Sequence, residues 1–350
     1  MDFIDSCAHS GSGGSQIPLS RKWTSYASAT YSTTQTRTSG VSIALQGGIS
    51  KTLSYVNERW FGLACYISNG QAIPVFMAFG SGGAVLIYLT LELDSTISIR
   101  DGLTHSLIWN STSLVITPDT FHYFEFHVLL GGSTPLTVSC DLHVDGQTWA
   151  SSVTSNLGYN ASNLIIDAAE MNQIQVSGAS GSGQTIYLCD IYVVNAATTD
   201  LNGNTSTLTG FLGDVDIDAL IPIADHTVQW TPSAGSTHYM LVDEIPPDDD
   251  TTYVSSNTTN QVDDFEFQQI TGFSGNLLGA QLCIYAKKDA EGSRTIEGTV
   301  GGTAQNNNNG LEQYLYDYYD YFIFPLDSDN GTPWTVTNFN AERFGVKLSS

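Results

Sequence analysis

Positive charge is what this sequence has least of. Eleven Lys and Arg stand against thirty-five Asp and Glu, a formal net charge of −24. A protein that grips a phosphate backbone needs clustered cations, and only isolated doublets occur, at Arg21-Lys22 and Lys287-Lys288. Nucleic acid is therefore excluded as a partner, and an anionic membrane surface would repel the chain. No stretch approaches the roughly 18 continuous apolar residues of a membrane span, so no membrane insertion is expected. Cysteine is scarce and scattered: Cys7, Cys65, Cys140, Cys189 and Cys283 form no CxxC and read as free thiols. The opening MDFIDSCAHSGSGG lacks the basic flank and apolar centre of a secretory leader. Folding in a reducing cytoplasm is the expectation.

Catalytic motifs are missing too. There is no G-x-S-x-G, H-E-x-x-H, Walker loop or G-x-G-x-x-G, and each of those spacings exists to build a particular nucleophile, metal or phosphate site. A glycosidase needs two carboxylates about 5–9 Å apart. Asp214-x-Asp216-x-Asp218 has the spacing but no Glu for the acid role. The expectation is a chain with no catalytic residues, no cofactor and no enzyme activity. The three acids read instead as the polar face of a strand kept soluble by charge.

What the chain does have is alternation of period two, punctuated by Gly, Asn, Asp and Ser turns. Along 122–128, His122, Phe124, Phe126 and Val128 fall on one face, with Tyr123, Glu125 and His127 opposite. Along 136–145, Val138, Cys140, Leu142 and Val144 point inward, and Asp141, His143 and Asp145 outward. Asp145-Gly146 then supplies a hairpin turn. No window of a dozen residues carries a helical period. The fold class is all-β, as two β-sandwich or jelly-roll domains. The Asn-, Thr- and Ser-rich stretch 195–209 marks a linker, giving domains 1–200 and 201–350. The acids divide unevenly, net −8 in the first 200 residues and −16 in the rest. Within the second domain the expected strands begin near 211–221, and 313–326 is the most apolar. The run 9–15 reads as a flexible arm, and 305–310 as an Asn-rich loop.

Two groups of side chains are candidate sites. Asp248, Asp249 and Asp250 follow two prolines, so three carboxylates share one turn, and a Ca²⁺ site is one reading. A solvated acidic turn is the other. Asp141, His143 and Asp145 offer two carboxylates and an imidazole, but from a strand face rather than a loop. In the apolar strand, Tyr314, Tyr316 and Tyr318 share one face, and Tyr319 and Tyr321 the other. That pattern is open to three readings: a domain core, a subunit contact, or a platform on which sugars stack.

The order of motifs carries a resemblance. RKWTSY, GGISKTL, ERWFGLACYIS, the hairpin YFEFHV…DLHVDGQTW and the closing YLCDIYVVN resemble a concanavalin A-like (laminin-G-like) lectin jelly roll over about residues 1–200. The following tract GFLGDV…VDEIPPDDDTTYV, with the closing FNAERFGVKL, is similar to segments of tailed-bacteriophage virion structural proteins. Aspartates stand in DVDID where such proteins often carry Arg. The resemblance implies a structural part of a virion (tail, baseplate, fibre or capsid decoration), assembled in the host cytoplasm. It also implies other virion proteins as partners, a homo-oligomer, most simply a trimer, and contact with a host glycan. A soluble carbohydrate-binding lectin module is the alternative. Asp190, inside the apolar closing strand, is expected to be structural, and its burial would demand partners.

Overall fold

The structure, a computed structural model, describes residues 3–5, 7, 22–37, 40–67, 76–81, 84–92, 95–113, 115–132, 135–158, 170–178, 185–195, 198–199, 205–206, 210–273, 275–304, 309–311, 313–323 and 334–350. The expected arm at 9–15 and most of the Asn-rich loop lie outside the described residues. The chain forms two compact units: Met1–Ala196 with Leu208–Asp218, and Ala197–Thr207 with Ala219–Ser350. The tract 208–218, expected to open the second domain, thus belongs with the first.

Among the described residues the first unit is nearly all β. Its strands are β1 (Phe3–Asp5), β2 (Ser25–Ser32), β3 (Ser42–Val56), β4 (Glu58–Ile67), β5 (Phe76–Ser81), β6 (Ala84–Leu91) and β7 (Ile97–Asp101). There follow β8 (Leu107–Asn110), β9 (Phe121–Gly131), β10 (Thr137–Val144), β11 (Gln147–Asn156), β12 (Met171–Ser177) and β13 (Ile186–Asn195). They connect in the order β11-β10-β9-β4-β13-β3-β12-β5-β6-β7-β8, with β1 on β13 and β2 on β3. The long β3 is the pivot. One edge pairs with β13 through Ile43–Leu45 and then with β12 from Gly48 to Val56. The sheet thereby folds back until its ends, β8 and β11, touch.

Alternation decides what lies between the layers. Phe124, Phe126 and Val128 of β9 and Phe61, Leu63 and Cys65 of β4 are buried in the core. In β10, Val138, Cys140, Leu142 and Val144 follow suit, as their period requires. The opposite face of β9, β4 and β13 is buried as well, although it carries Tyr123, Glu125, Asp190 and Tyr192. One glycine reflects a close approach there: a Cβ on Gly62 would lie 2.1 Å from the Tyr192 ring. Where β2 meets β3, a Cβ on Gly47 would lie 2.2 Å from the Ala27 carbonyl oxygen.

The second unit holds β14 (Thr198–Thr199), β15 (Thr205–Ser206), β16 (Pro222–Val228), β17 (Thr231–Pro232), β18 (Val254–Ser255), β19 (Val262–Phe267) and β20 (Ala280–Ala286). It continues with β21 (Thr295–Val300), β22 (Thr303–Ala304), β23 (Asn309–Gly310), β24 (Asp317–Ile323), the helix α1 (Val336–Ala341) and β25 (Arg343–Leu348). The main sheet runs β16-β19-β25-β21-β22, and β20 pairs with β24 as a separate ribbon. Trp334, Phe339, Phe344 and Val300 form one core cluster; Ile296, Tyr319, Val346 and Leu348 form another. Thr335 caps α1 by accepting from Asn338 N–H at 3.1 Å. The buried Asp263 accepts from the Gln229 and Trp230 amides at 2.7 and 2.8 Å and pairs with His238 Nδ1 at 2.6 Å. Here acidity serves the fold, because this acid pins a loop to the sheet.

Gly62→Ala tests the packing on the outer face of β4. The methyl group meets a buried ring rather than a flexible chain end, so thermal unfolding should show a loss of about 1–3 kcal/mol. An unchanged melting temperature would contradict this packing.

Candidate functional site

The outer face of β10, β9, β4 and β13 concentrates the chemistry. Residues paired directly across antiparallel strands share a face, and the register sets Asp141, His127 and Trp60 in one row and His143, Glu125, Gly62 and Tyr192 in the next. His127 Nδ1 faces Asp141 at 2.8 Å and its Nε2 faces Glu58 at 3.0 Å. Its ring stacks on Trp60 with centroids 4.3 Å apart and planes within 9°. Tyr192 Oη donates to Glu125 at 2.5 Å. An imidazole between two carboxylates can pass a proton from one to the other, and carboxylates aimed out of a sheet accept hydroxyl hydrogens.

Asp190 enters this face through a break in regularity. The pairing of β13 with β4 shifts register between Cys189 and Tyr192, and Asp190 sits there with φ +51°. Such a bulge re-aims a side chain. Asp190 Oδ2 lies 3.1 Å from Arg37 Nη1, a charge pair out of line for a hydrogen bond, and Oδ1 accepts from the Ile217 amide at 3.1 Å. The expectation that this acid needs partners is met, but by residues far away in sequence.

Those partners bring in the tract 210–218. A strand was expected over 211–221; those residues hold none, and 211–217 instead run along this face through the contacts of Phe211, Leu212, Gly213 and Ile217. Phe211 stacks on His143 at 3.9 Å between centroids. The Leu212 amide donates to Tyr192 Oη at 3.3 Å, and the Gly213 amide to Glu125 Oε1 at 2.8 Å. Gly213 has φ +85°, where a side chain is strained. Asp214 takes a 2.7 Å hydrogen bond from Arg37 Nη2, with Asp216 3.6 Å from the same nitrogen. The alternation of Asp214, Asp216 and Asp218 with Val215 and Ile217 is real: the acids are exposed and the apolar residues half-buried. It reports one-sided cover rather than strand pairing.

Enclosure moves the acid equilibria. Burial pushes the Asp190 carboxyl up to about 6, against the pull of Arg37 and the Ile217 amide, with Asp216 and Asp214 adding to the rise. Burial also raises the phenols of Tyr123 and Tyr192 well above their usual value.

The sequence-derived candidates fall elsewhere. Asp248 accepts from Thr252 Oγ1 at 3.0 and 2.9 Å, Asp249 from Tyr285 Oη at 2.9 Å, and Asp250 pairs with Lys287 at 2.7 Å. The three carboxylates face different partners, one of them a cation, which does not fit a Ca²⁺ cage of six or more oxygens. Among the described residues no group of three or more His, Cys, Asp or Glu could hold a metal ion. Asp141 and Asp145 likewise diverge, to His127 and His122. The tyrosines separate by face. Tyr319 is in the core. Tyr316 stacks on Tyr285 at 4.9 Å, with Lys287 4.5 Å over its ring, and donates to Asp250 at 3.1 Å. Tyr318 packs against Tyr285 at 4.8 Å, and Tyr314 is 67% exposed. Tyr321 pairs with Leu282 through the backbone; its side chain lies outside the described residues. The strand expected to be the most apolar is one half of the β20–β24 ribbon, and the acidic turn and the tyrosines, read separately, meet there.

No family model matches this sequence, and no curated protein matches it. Similar solved structures include an endo-β-1,4-glucuronan lyase from the fungus Trichoderma reesei, 10% identical with a TM-score of 0.35 over 58% of this chain and 97% of that one. The alginate lyase Aly36B is 8% identical, with a TM-score of 0.37, over 55% of this chain and 96% of that one. The Caenorhabditis elegans galectin LEC-6 is 7% identical, with a TM-score of 0.30, over 43% of this chain and 96% of that one. The likeness concerns fold, a jelly-roll and lectin-like one. The expectation that the chain is not an enzyme is corrected here, because polysaccharide lyases stand among the similar structures. None of these structures is a bacteriophage protein.

Asp190 yields a pH test. A carboxyl with a raised folded pKa favours the folded state when protonated, so its contribution is full below about 3.8 and lost as pH rises through about 6. Between those values the wild type should lose up to about 3 kcal/mol relative to Asp190→Asn, measured by denaturant unfolding. Parallel curves for the two proteins would contradict the enclosure of Asp190.

Proposed function

We propose that the first unit binds carbohydrate, and that the outer face of β10, β9, β4 and β13 is its glycan-contacting surface. The observation that carries this reading is the row Glu58, His127 and Asp141 on the Trp60 ring, with both carboxylates partly exposed. Sugars offer hydroxyl hydrogens and weakly apolar faces, which suit carboxylate acceptors and aromatic rings. Glu125 and Asp190 extend the acceptors along the same face. With carboxylates outnumbering the single Arg37 there, the suited glycan is neutral.

A neutral-glycan array followed by titration calorimetry tests this. Glu58→Gln should keep the wild-type melting temperature and weaken binding at least fivefold, because one acceptor loses charge. An empty array, or equal binding by the variant, would overturn it.

The second unit supports a second proposal, that the chain joins a larger assembly. Ile223, Val228, Met240, Ile245, Phe273 and Leu315 stand exposed there, and association can cover apolar surface left to water. With the tract resemblance, this supports a virion component, in a homo-oligomer such as a trimer, that contacts host glycan. Light scattering at micromolar concentration should give a multiple of the chain mass; a monomer, also absent from purified particles, would end this proposal.

A further inference from the structure

The floor beneath residues 211–218 is unusual for a covered surface. Glu125, Asp190, Tyr123 and Tyr192 are each at most 2% exposed, and Arg37 lies 5.5 Å over the Tyr123 ring. A covered face is ordinarily apolar, because exposing it to water then costs most. Here water would replace the bonds that residues 211–218 make to Glu125, Asp190 and Tyr192. Uncovering a polar floor costs less than uncovering an apolar one of equal area, and segments with little buried apolar area open locally before the whole fold does. The cover buries its apolar side chains only in part: Phe211, Leu212, Val215 and Ile217 are half-buried, and Asp214 and Asp216 are exposed.

From this geometry we propose that residues 211–218 are a strap that occupies the glycan-contacting face in competition with a neutral glycan, with Arg37 as its clasp. The proposal rests on the carbohydrate reading of that face. The strap presents to the floor what a sugar chain would present. Its amides at 212, 213 and 217 donate to a phenol oxygen and two carboxylates, and sugar hydroxyls are donors of the same kind. Phe211 covers His143 as a sugar ring would. The clasp is one guanidinium set between Asp190 on the sheet and Asp214 and Asp216 on the strap. Its strap-side pairs are solvent-exposed, at 54% and 55% for the two acids, and such pairs hold weakly. Binding therefore takes two steps, strap release and then occupancy, and the apparent affinity is reduced by the fraction of molecules already open.

The test uses the full chain, amide hydrogen exchange and calorimetry against a panel of neutral gluco-, manno- and galacto-oligosaccharides, with an alginate oligosaccharide as the acidic comparison. In the wild type the amides of 212, 213 and 217 should exchange at least tenfold faster than those of β9 and β13. The double variant Asp214→Asn/Asp216→Asn removes the strap side of the clasp with exposed substitutions only. It should exchange faster still at those amides and bind the neutral probe at least fivefold tighter. Phe211→Ser, a second route to release, should shift both readouts the same way. Strap amides as protected as β13 would overturn the strap. Faster exchange without tighter binding would overturn the competition and leave the carbohydrate reading standing. Failure of the opened variants to bind any neutral probe would end that reading and the competition together, and preference for alginate would overturn the neutral class.

Discussion

A carboxylate turned into a covered face must find donors, and in the first unit that requirement falls on Asp190. The bulge in β13 sends its side chain to the outer side of the sheet, where burial disfavours its charge. Arg37 and the Ile217 amide answer it. Once Arg37 is committed there, its second nitrogen gathers Asp214 and Asp216. The chain beyond β13 is thereby drawn back over the sheet it has just left. Glu125 and Tyr192 complete the arrangement by accepting from the next amides along the same stretch.

This explains how one face can look like core and like surface together. By accessibility it is interior. By composition it is polar, with carboxylates, an imidazole and aromatic rings in register. An extended chain segment and an extended sugar chain both satisfy such a floor with a series of hydrogen-bond donors. In the second unit Asp225 and Asp263 use the same device, holding the backbone around 238–239 and 229–230. The strong acidity is thus partly internal: several acids serve as acceptors for backbone amides, which lets irregular segments be held without helix or sheet.

Much of the scaffold was legible before the structure. Alternation alone set His122, Phe124, Phe126 and Val128 on one face and Tyr123, Glu125 and His127 on the other, and Asp145-Gly146 as the turn of a hairpin. The tract after Gly210 was not legible, because period two reports only that one side of an extended chain is covered. It does not distinguish a sheet neighbour from a side-chain floor. Arg37 gave no signal at all, since its carboxylate partners stand more than 150 residues away and no local pattern joins them. The acidic turn and the tyrosine-rich strand were each visible as compositions, but their meeting at Tyr285 and Lys287 depends on β20, which neither pattern mentions. The helix at 336–341 was hidden by its shortness, too brief to show a helical period.

The central claim is that the outer face of β10, β9, β4 and β13, under the strap, is where carbohydrate binds. Amide chemical-shift mapping during titration with a neutral oligosaccharide from the same panel tests this most directly. The largest shifts should fall together on the amides of Leu212, Gly213 and Ile217 and on β9 around Glu125 and His127. Shifts confined to another surface, such as the Tyr285–Tyr316 ribbon, with the strap and β9 unmoved, would contradict it.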